Sequence, residues 1–307
     1  MLDPKLLRNN INDISGNLAN KNYIFDKKKF LSIDSNRKNI IVTTEDLKNK
    51  KNILSKEIGI LKSKGKSADN QTKVVEKINQ SLKEMQVLLL KAEDEFSDFC
   101  LSIPNVLDDI VPIGQSEKDN VVVKYSNNNN LLSSENKKVS DHSEIGKSLK
   151  LYDQDIASNI SGSRFSLLFG PLAQLHRAIG SFMIDTHISS NGYTEVNVPL
   201  IVNSDSLLGT GQLPKFKDDL FELKNKEDFF LIPTGEVPLT NIFRNKVFSE
   251  DEIPLFYAAL STCFRSEAGS YGKDTKGLIR QHQFDKVELV NAVNPNKSDE
   301  ALESLIG

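Results

Sequence analysis

Cysteine is scarce in these 307 residues: there are two, Cys100 and Cys263, far apart in the chain. Two distant thiols cannot staple a small fold or supply the close ligand pairs of a zinc site, and they suit a reducing, cytoplasmic setting. Histidine is nearly as rare. His142, His176, His187 and His282 share no ligand spacing with a cysteine or carboxylate cluster, so no metal site is expected within this chain. Long apolar runs are missing too. None approaches the roughly 18–20 residues that cross a bilayer, and the polar start MLDPKLLRNN lacks the apolar core of a signal peptide. Neither sign of charge dominates: 39 Lys+Arg against 42 Asp+Glu leave a net −3. Overall charge therefore does not mark a polyanion binder, and any basic surface has to be local. What remains, 38% apolar and 26% charged residues without an internal repeat, is the composition of a soluble globular chain long enough for two domains.

Proline is absent from Lys27 to Lys64, where the single glycine is Gly59. There Ile33, Ile40, Leu47, Leu54 and Leu61 recur at every seventh position. A second proline-free run, about Ala68 to Cys100, sets Val75, Ile78, Leu82, Met85, Leu89, Ala92, Phe96 and Phe99 at steps of three and four. Such seams make helices that pack on one another. With only Lys64-Gly65-Lys66-Ser67 between them, the spacing predicts an antiparallel coiled-coil hairpin, each limb roughly 45–55 Å long at ~1.5 Å per residue. Asp3-Pro4 starts an earlier helix carrying Leu6, Leu7, Ile11 and Ile14, and Ile103-Pro104-Asn105 ends the hairpin. Charge separates the limbs. Residues 27–66 hold twelve Lys/Arg against four Asp/Glu, a net of +8, whereas residues 69–99 net −3. A protruding basic limb suits a phosphate backbone. Lysines that merely keep an exposed helix in solution explain the charge equally well.

Beyond the hairpin, residues 112–150 read as an irregular connector whose polar run Asn127–Asn130 forms a loop tip. Phe165–Phe169 reads as a strand. Leu172–Ser189 reads as an amphipathic helix with Leu172, Leu175, Ile179, Phe182, Met183 and Thr186 on one face, stopped by Gly192. Strand-like runs follow at Thr194–Val202, Phe229–Pro233, Leu255–Arg265 and Gln283–Val290. The expected class is α+β: a helical arm, then an antiparallel β-sheet domain with one long preceding helix. The division expected is 1–110, with the arm at about 27–100, and 111–307.

The chemistry concentrates in Thr262-Cys263-Phe264-Arg265-Ser266-Glu267 and Arg280-Gln281-His282-Gln283-Phe284-Asp285-Lys286-Val287-Glu288, joined by a glycine-rich loop carrying Lys273 and Lys276. Alternation places Arg265 and Glu267 on one strand face, and Phe284, Lys286 and Glu288 on one face of the next. An arginine beside a carboxylate can grip a phosphate while the acid fixes a second group, and the aromatic can stack on a purine. A surface hairpin with ordinary cross-strand ion pairs is the common explanation of an isolated Arg-x-Glu.

The whole string, however, resembles the second signature motif of class II aminoacyl-tRNA synthetases, in the form carried by the bacterial-type seryl-tRNA synthetase family. The resemblance extends to Leu2-Asp3-Pro4, the hairpin, Ser102–Asn105, Gly162–Phe165, Gly192–Pro199, Gly209–Phe216 and Pro233–Asn241. It implies a serine–tRNA ligase that makes seryl-adenylate from L-serine and ATP with Mg²⁺, then acylates the 3′ end of tRNA(Ser), tRNA(Sec) being left open as a second acceptor. It also implies a cytoplasmic homodimer that binds tRNA through the arm. Carried over by position, Arg265 contacts the α-phosphate and the serine carboxylate, and Glu267 the adenine amino group. Phe284 stacks on adenine, with Ser266, Gln281, His282 and Gln283 completing the ATP set. Thr234, Gly235, Glu236 and Glu288 join Arg265 around serine. Gly235 departs from the family's usual alanine. The family continues past Gly307 into a third motif with a γ-phosphate arginine and metal ligands. The expectation is therefore a truncated chain, inactive alone; a catalytically silent relative that binds tRNA or regulates is the alternative. Cys263 reads as a small buried hydrophobe, His142 as solvent-exposed, and Pro199 as lying near a dimer interface or on a sheet edge.

Overall fold

The computed structural model describes residues 2–124, 140–224, 226–268 and 277–306. The polar run Asn127–Asn130 and most of the glycine-rich loop, with Lys273 and Lys276, lie outside the described residues. The chain divides into two compact units, Met1–Asn128 and Asn129–Gly307.

In the first unit, α1 (Pro4–Asn9) starts where expected: the Asp3 carboxylate accepts the Lys5 N–H at 2.7 Å, and Pro4 opens the helix without wasting a donor. α2 (Ile11–Ala19) follows after a break at Asn10. The hairpin is α3 (Lys27–Ser63) and α4 (Asp69–Ser102). At ~1.5 Å per residue the limbs are about 55 and 51 Å long. The chain turns at Gly65, whose φ of +70° a side chain would strain. α4 stops at Ile103, held extended by Pro104. At its base the hairpin closes a core of Leu7, Leu18, Phe25, Phe30, Ile33, Phe96 and Cys100. Asp34 is buried there but paired. It accepts from Arg8 at 2.8 and 2.7 Å and lies 2.7 Å from Lys38, and the Arg8 hydrogen bond holds its carboxyl below the usual range.

The second unit begins with a correction. Residues 142–148 of the supposed irregular connector form a helix, α5 (His142–Ser148), nucleated by Asp141, which accepts the Ser143 N–H at 2.9 Å. β1 (Tyr152–Asp153) leads into α6 (Gln154–Ser161) and pairs antiparallel with β2 (Leu167–Leu168). α7 (Gly170–Asn191) ends at Gly192 in the left-handed region, φ +73°. The expected strand 194–202 is two strands, β3 (Thr194–Glu195) and β4 (Ile201–Asn203), with Pro199 between them. α8 (Ser204–Gly209), β5 (Phe229–Leu231) and α9 (Glu236–Asn241) precede the two long strands β6 (Leu255–Phe264) and β7 (Gln283–Ala292), and α10 (Ser298–Ile306) follows them.

β6 and β7 pair antiparallel over ten residues each, from Leu255↔Ala292 to Phe264↔Gln283. The sheet is not purely antiparallel, because β3 joins the other edge of β6 in parallel after a long crossover. β4 and β5 form a separate antiparallel pair. Val198, Leu239 and Ala259 make one core, and Val202, Leu207, Phe230, Ile232 and Val237 another.

α7 corrects a second expectation. The stripe it lays on the sheet is Gly180 and Ile184: Ile184 is buried, and a Cβ on Gly180 would meet Leu260 at 3.3 Å. Most of the predicted face turns outward. Leu175, Ile179 and Met183 are exposed, and Phe182 is 72% exposed. Helical periodicity identifies an apolar face but not what covers it.

Candidate active site

The site is assembled at the ends of β5, β6 and β7. Past β5 the chain runs Pro233-Thr234-Gly235 into α9, and β6 is tied to it where the Phe264 N–H donates to the Ile232 carbonyl at 2.8 Å. Strand alternation on β7 keeps Phe284, Lys286 and Glu288 on one face, opposite Cys263, Ser261 and Ala259. Thr234 lies over this face. Its hydroxyl donates to Glu288 Oε2 at 2.6 Å and accepts from Lys286 Nζ at 2.9 Å, while Lys286 and Glu288 approach to 2.5 Å. Glu236 begins α9 with its N–H on the Thr234 hydroxyl at 3.2 Å. Burial, and then repulsion from Glu288, push the Glu236 carboxyl up, against the opposing pull of Lys286 and Arg265. Two carboxylates and two cations thus converge around one buried hydroxyl.

Gly235 sits tightly here. A Cβ would come 3.1 Å from Glu288 Cβ and 3.2 Å from Ser261 Oγ, so glycine lets the turn rest directly on the two strands. Beneath it Cys263 is fully buried, and burial pushes its thiol up, which suits a packed sulfur rather than a reactive one.

β6 ends at Phe264, so the alternation argument does not reach Glu267, which takes a left-handed φ of +51°. Arg265 and Glu267 nevertheless line one cavity of about 300 Å³ with Gln212, Asp219, Thr234 and Arg280. The Arg265 Nε donates to the Pro233 carbonyl at 3.1 Å, and its guanidinium lies 5.4 Å over the Phe284 ring. Arg280 Nη1 meets Glu267 Oε2 at 3.0 Å, and Arg164 donates to the Glu267 carbonyl at 3.0 Å. A second cavity of about 560 Å³, which shares Arg265, Glu267 and Arg280 with the first, is walled by Leu278, Ile279, Gln281 and Phe284.

Not every candidate residue turns into these cavities. Ser266 faces the 3₁₀ turn Lys217–Asp219: its N–H donates to the Asp219 carbonyl at 2.9 Å and its hydroxyl to the Asp218 carbonyl. The His282 ring packs between Phe165 and Phe221, with Nδ1 2.8 Å from the Arg265 carbonyl. Gln283 lines a separate hollow with Phe165 and His176, which Phe284 borders as well. Sequence reasoning missed Asp219, whose carboxylate also accepts the Ala268 N–H at 2.9 Å. It is one of many surface acids, and nothing local marks it. Among the described residues no three His, Cys, Asp or Glu side chains gather as a metal site.

A long antiparallel strand pair bearing an arginine, a purine-sized aromatic and facing carboxylates is the frame of a class II aminoacyl-tRNA synthetase core. Residues 220–307 match the family model described as tRNA synthetase class II core domain (G, H, P, S and T). Residues 1–107 match the Seryl-tRNA synthetase N-terminal domain. The serine–tRNA ligase of Cellvibrio japonicus is 47% identical over 306 residues, covering 100% of this chain and 71% of that protein. That of Herminiimonas arsenicoxydans is 47% identical over 313 residues, with 100% and 72% covered. The chain belongs to the seryl-tRNA synthetase family. Among solved structures, seryl-tRNA synthetase from Pyrococcus horikoshii complexed with ATP superimposes with a TM-score of 0.82 at 29% identity, over 100% of this chain and 72% of that one. The cytoplasmic serine–tRNA ligase of Naegleria fowleri in complex with AMP, 24% identical with a TM-score of 0.77 over 100% and 74% of the two chains, shares the fold.

Proposed function

We propose that the chain acts as a serine–tRNA ligase, activating L-serine with ATP and passing it to the 3′ end of tRNA(Ser). The observation that carries the site assignment is the buried Thr234 hydroxyl bridging Lys286 and Glu288 beside Arg265 and Phe284. In the first step an oxygen of the serine carboxylate attacks the α-phosphorus, a new O–P bond forms, and pyrophosphate leaves with the electrons of the broken bond. Arg265 is the fixed positive charge at this centre, holding carboxylate and α-phosphate together as charge builds on phosphorus. In the second step the terminal ribose hydroxyl of the tRNA attacks the acyl carbon and AMP departs. No protein nucleophile is required.

Phe284 offers the stacking face for adenine, and Glu267 accepts from its amino group. Gln281 lines the wall, while Ser266, His282 and Gln283 keep its backbone in place. Thr234, Glu236 and Glu288 receive the ammonium and hydroxyl of serine. An amino acid without the hydroxyl would leave that polar set unpaired, which is a stronger filter than shape. A bound ammonium would also draw the raised Glu236 carboxyl back towards its charged form. Mg²⁺ would enter on the ATP phosphates, which supply most of its usual oxygen ligands, and would neutralise their charge.

The +8 limb supports the assignment of α3 as the phosphate-binding side of a tRNA arm. The outward apolar face of α7 supports a homodimer, since exposed Leu175, Ile179, Phe182 and Met183 on one helix are costly in water. Two buried, unpaired cysteines suit the cytoplasm. tRNA(Sec) is a second acceptor to be tested beside tRNA(Ser). The deciding assay, run with these residues joined to the family's third signature motif, is serine-dependent ATP–pyrophosphate exchange, followed by charging of tRNA(Ser). Exchange that depends on serine and is lost in Arg265→Ala is expected. Exchange driven equally by alanine would overturn the assignment.

A further inference from the structure

Between Gly277 and the start of β7 the described chain runs Leu278-Ile279-Arg280-Gln281-His282, and four of these residues wall the cavity shared with Arg265 and Glu267. Hydrogen bonds from outside fix this stretch at two levels. Near β7, the His282 N–H donates to the Arg164 carbonyl at 3.0 Å. At the outer end, the Leu278 N–H donates to Nε2 of His142 at 2.9 Å, across 136 residues of sequence. The ring also lies flush on Gly277: a Cβ there would stand 2.1 Å from His142 Nε2, and the φ of +65° independently favours glycine. Gly277 in turn accepts from the buried Gln281 amide at 2.8 Å. His142 therefore holds Gly277 and Leu278, Gly277 holds Gln281, and Gln281 and Leu278 border the cavity.

His142 is poorly explained as a core residue. Its side chain is 40% exposed, at the first position of the short helix α5. What it gives the fold is one acceptor aimed at one backbone N–H. To accept there it must carry its ring proton on Nδ1, which stands 3.9 Å from the Asp141 carboxylate. Asp141 is itself committed to the Ser143 N–H, so the residue before the histidine anchors the helix that presents it.

We propose that His142 is a positioning residue for ATP: it pins the outer end of the cavity wall, so that Gln281 and Phe284 meet the nucleotide in a fixed register. This rests on reading the cavity as the ATP site. It acts on nucleotide binding and leaves the serine subsite at Thr234, Glu236 and Glu288 untouched.

The test, again with these residues joined to the family's third signature motif, is ATP–pyrophosphate exchange with wild-type protein, His142→Ala and His142→Gln, with thermal melts alongside. Glutamine is the informative variant, because its amide oxygen reaches about as far as Nε2 and restores an acceptor without the ring. Loss of one such hydrogen bond should raise the KM for ATP about five- to tenfold in His142→Ala, with the KM for serine and kcat within about twofold of wild type. His142→Gln should bring the KM for ATP back to within about twofold. If His142→Ala does not fold, His142→Asn, whose amide falls short of Leu278, takes its place. The proposal falls if the KM for ATP is unchanged, if both KM values rise together, or if glutamine is as impaired as alanine. A wild-type protein lacking serine-dependent exchange would instead bring down the site assignment on which the proposal stands.

Discussion

Thr234→Ala tests the serine subsite most directly. The hydroxyl is nearly fully buried and makes two charge-assisted hydrogen bonds, to Glu288 at 2.6 Å and from Lys286 at 2.9 Å. Hydrogen bonds to charged groups contribute about 1.5–3 kcal/mol each. The full loss is not expected, because Lys286 and Glu288 keep their own contact at 2.5 Å and both are partly exposed, where water softens the cost. A net penalty of about 2 kcal/mol is reasonable, and at 1.36 kcal/mol per decade it amounts to roughly 30-fold in kcat/KM for serine. In the proposed assignment ATP lies against Phe284 and Glu267, neither of which bonds to the Thr234 hydroxyl, so its KM should move by less than about twofold. Thr234→Ser keeps the hydroxyl and should recover most of the loss. Exchange kinetics at saturating ATP with serine varied, then the reverse, separate the two parameters. Equal loss in both, or a serine variant as poor as alanine, would refute the reasoning.

Gly235→Ala should push Glu288 and Ser261 by a few tenths of an ångström and cost about 1 kcal/mol, seen as roughly fivefold in the KM for serine; an unchanged KM would show that the turn has slack. Removing residues 42–88 and closing α3 onto α4 should abolish tRNA charging while sparing ATP–pyrophosphate exchange; the cut keeps Phe30, Ile33 and Phe96, which build the base core. Charging that survives it would free the arm of its role. Phe182→Glu should convert a dimer to a monomer by light scattering, with little change in melting, because Phe182 is exposed within the chain. The Arg8 hydrogen bond depresses the Asp34 carboxyl, so its contribution to stability is whole above the ordinary carboxyl range of about 4 and is lost as pH falls through the depressed value. Melts of Asp34→Asn should show a shallower loss between neutral pH and strongly acid pH than wild type.

The arm was legible because nothing in it competes with the pattern. Two apolar seams of coiled-coil period, free of proline and joined by a short polar break, leave few other ways to bury those side chains. The structure keeps Ile33, Ile78, Ala92 and Phe96 inward as the spacing required. α5 was missed for the opposite reason. His142–Ser148 is too short to show a period, and its start is marked only by one aspartate. The reversal of α7 has a third cause. The helix, its length and its Gly192 stop could be read from sequence, but the stripe against the sheet is chosen by Gly180, where absence of a side chain permits close approach.

In the site, alternation worked where a strand is regular and failed where it ends. Phe284, Lys286 and Glu288 share a face because β7 is unbroken through Ala292. Arg265 and Glu267 share a cavity for another reason: Asp219, distant in sequence, takes the backbone N–H groups of Ser266 and Ala268, and this fixes the turn that puts Glu267 at φ +51°. His142 and Asp219 are thus counterparts. Each reaches from a different part of the second unit to one end of the segment between β6 and β7, one gripping Ser266 and Ala268, the other Gly277 and Leu278. Neither stands in a motif that announces chemistry, since each bonds to backbone and leaves the proposed chemistry to Arg265, Glu267 and Phe284. Asp219→Ala, which removes the carboxylate that holds Ala268 but leaves the main-chain carbonyl that holds Ser266, should therefore resemble His142→Ala in raising the KM for ATP, and the double variant should fall short of the product of the two effects if both act by fixing the same wall. Full multiplicativity would mean that the two ends are held independently.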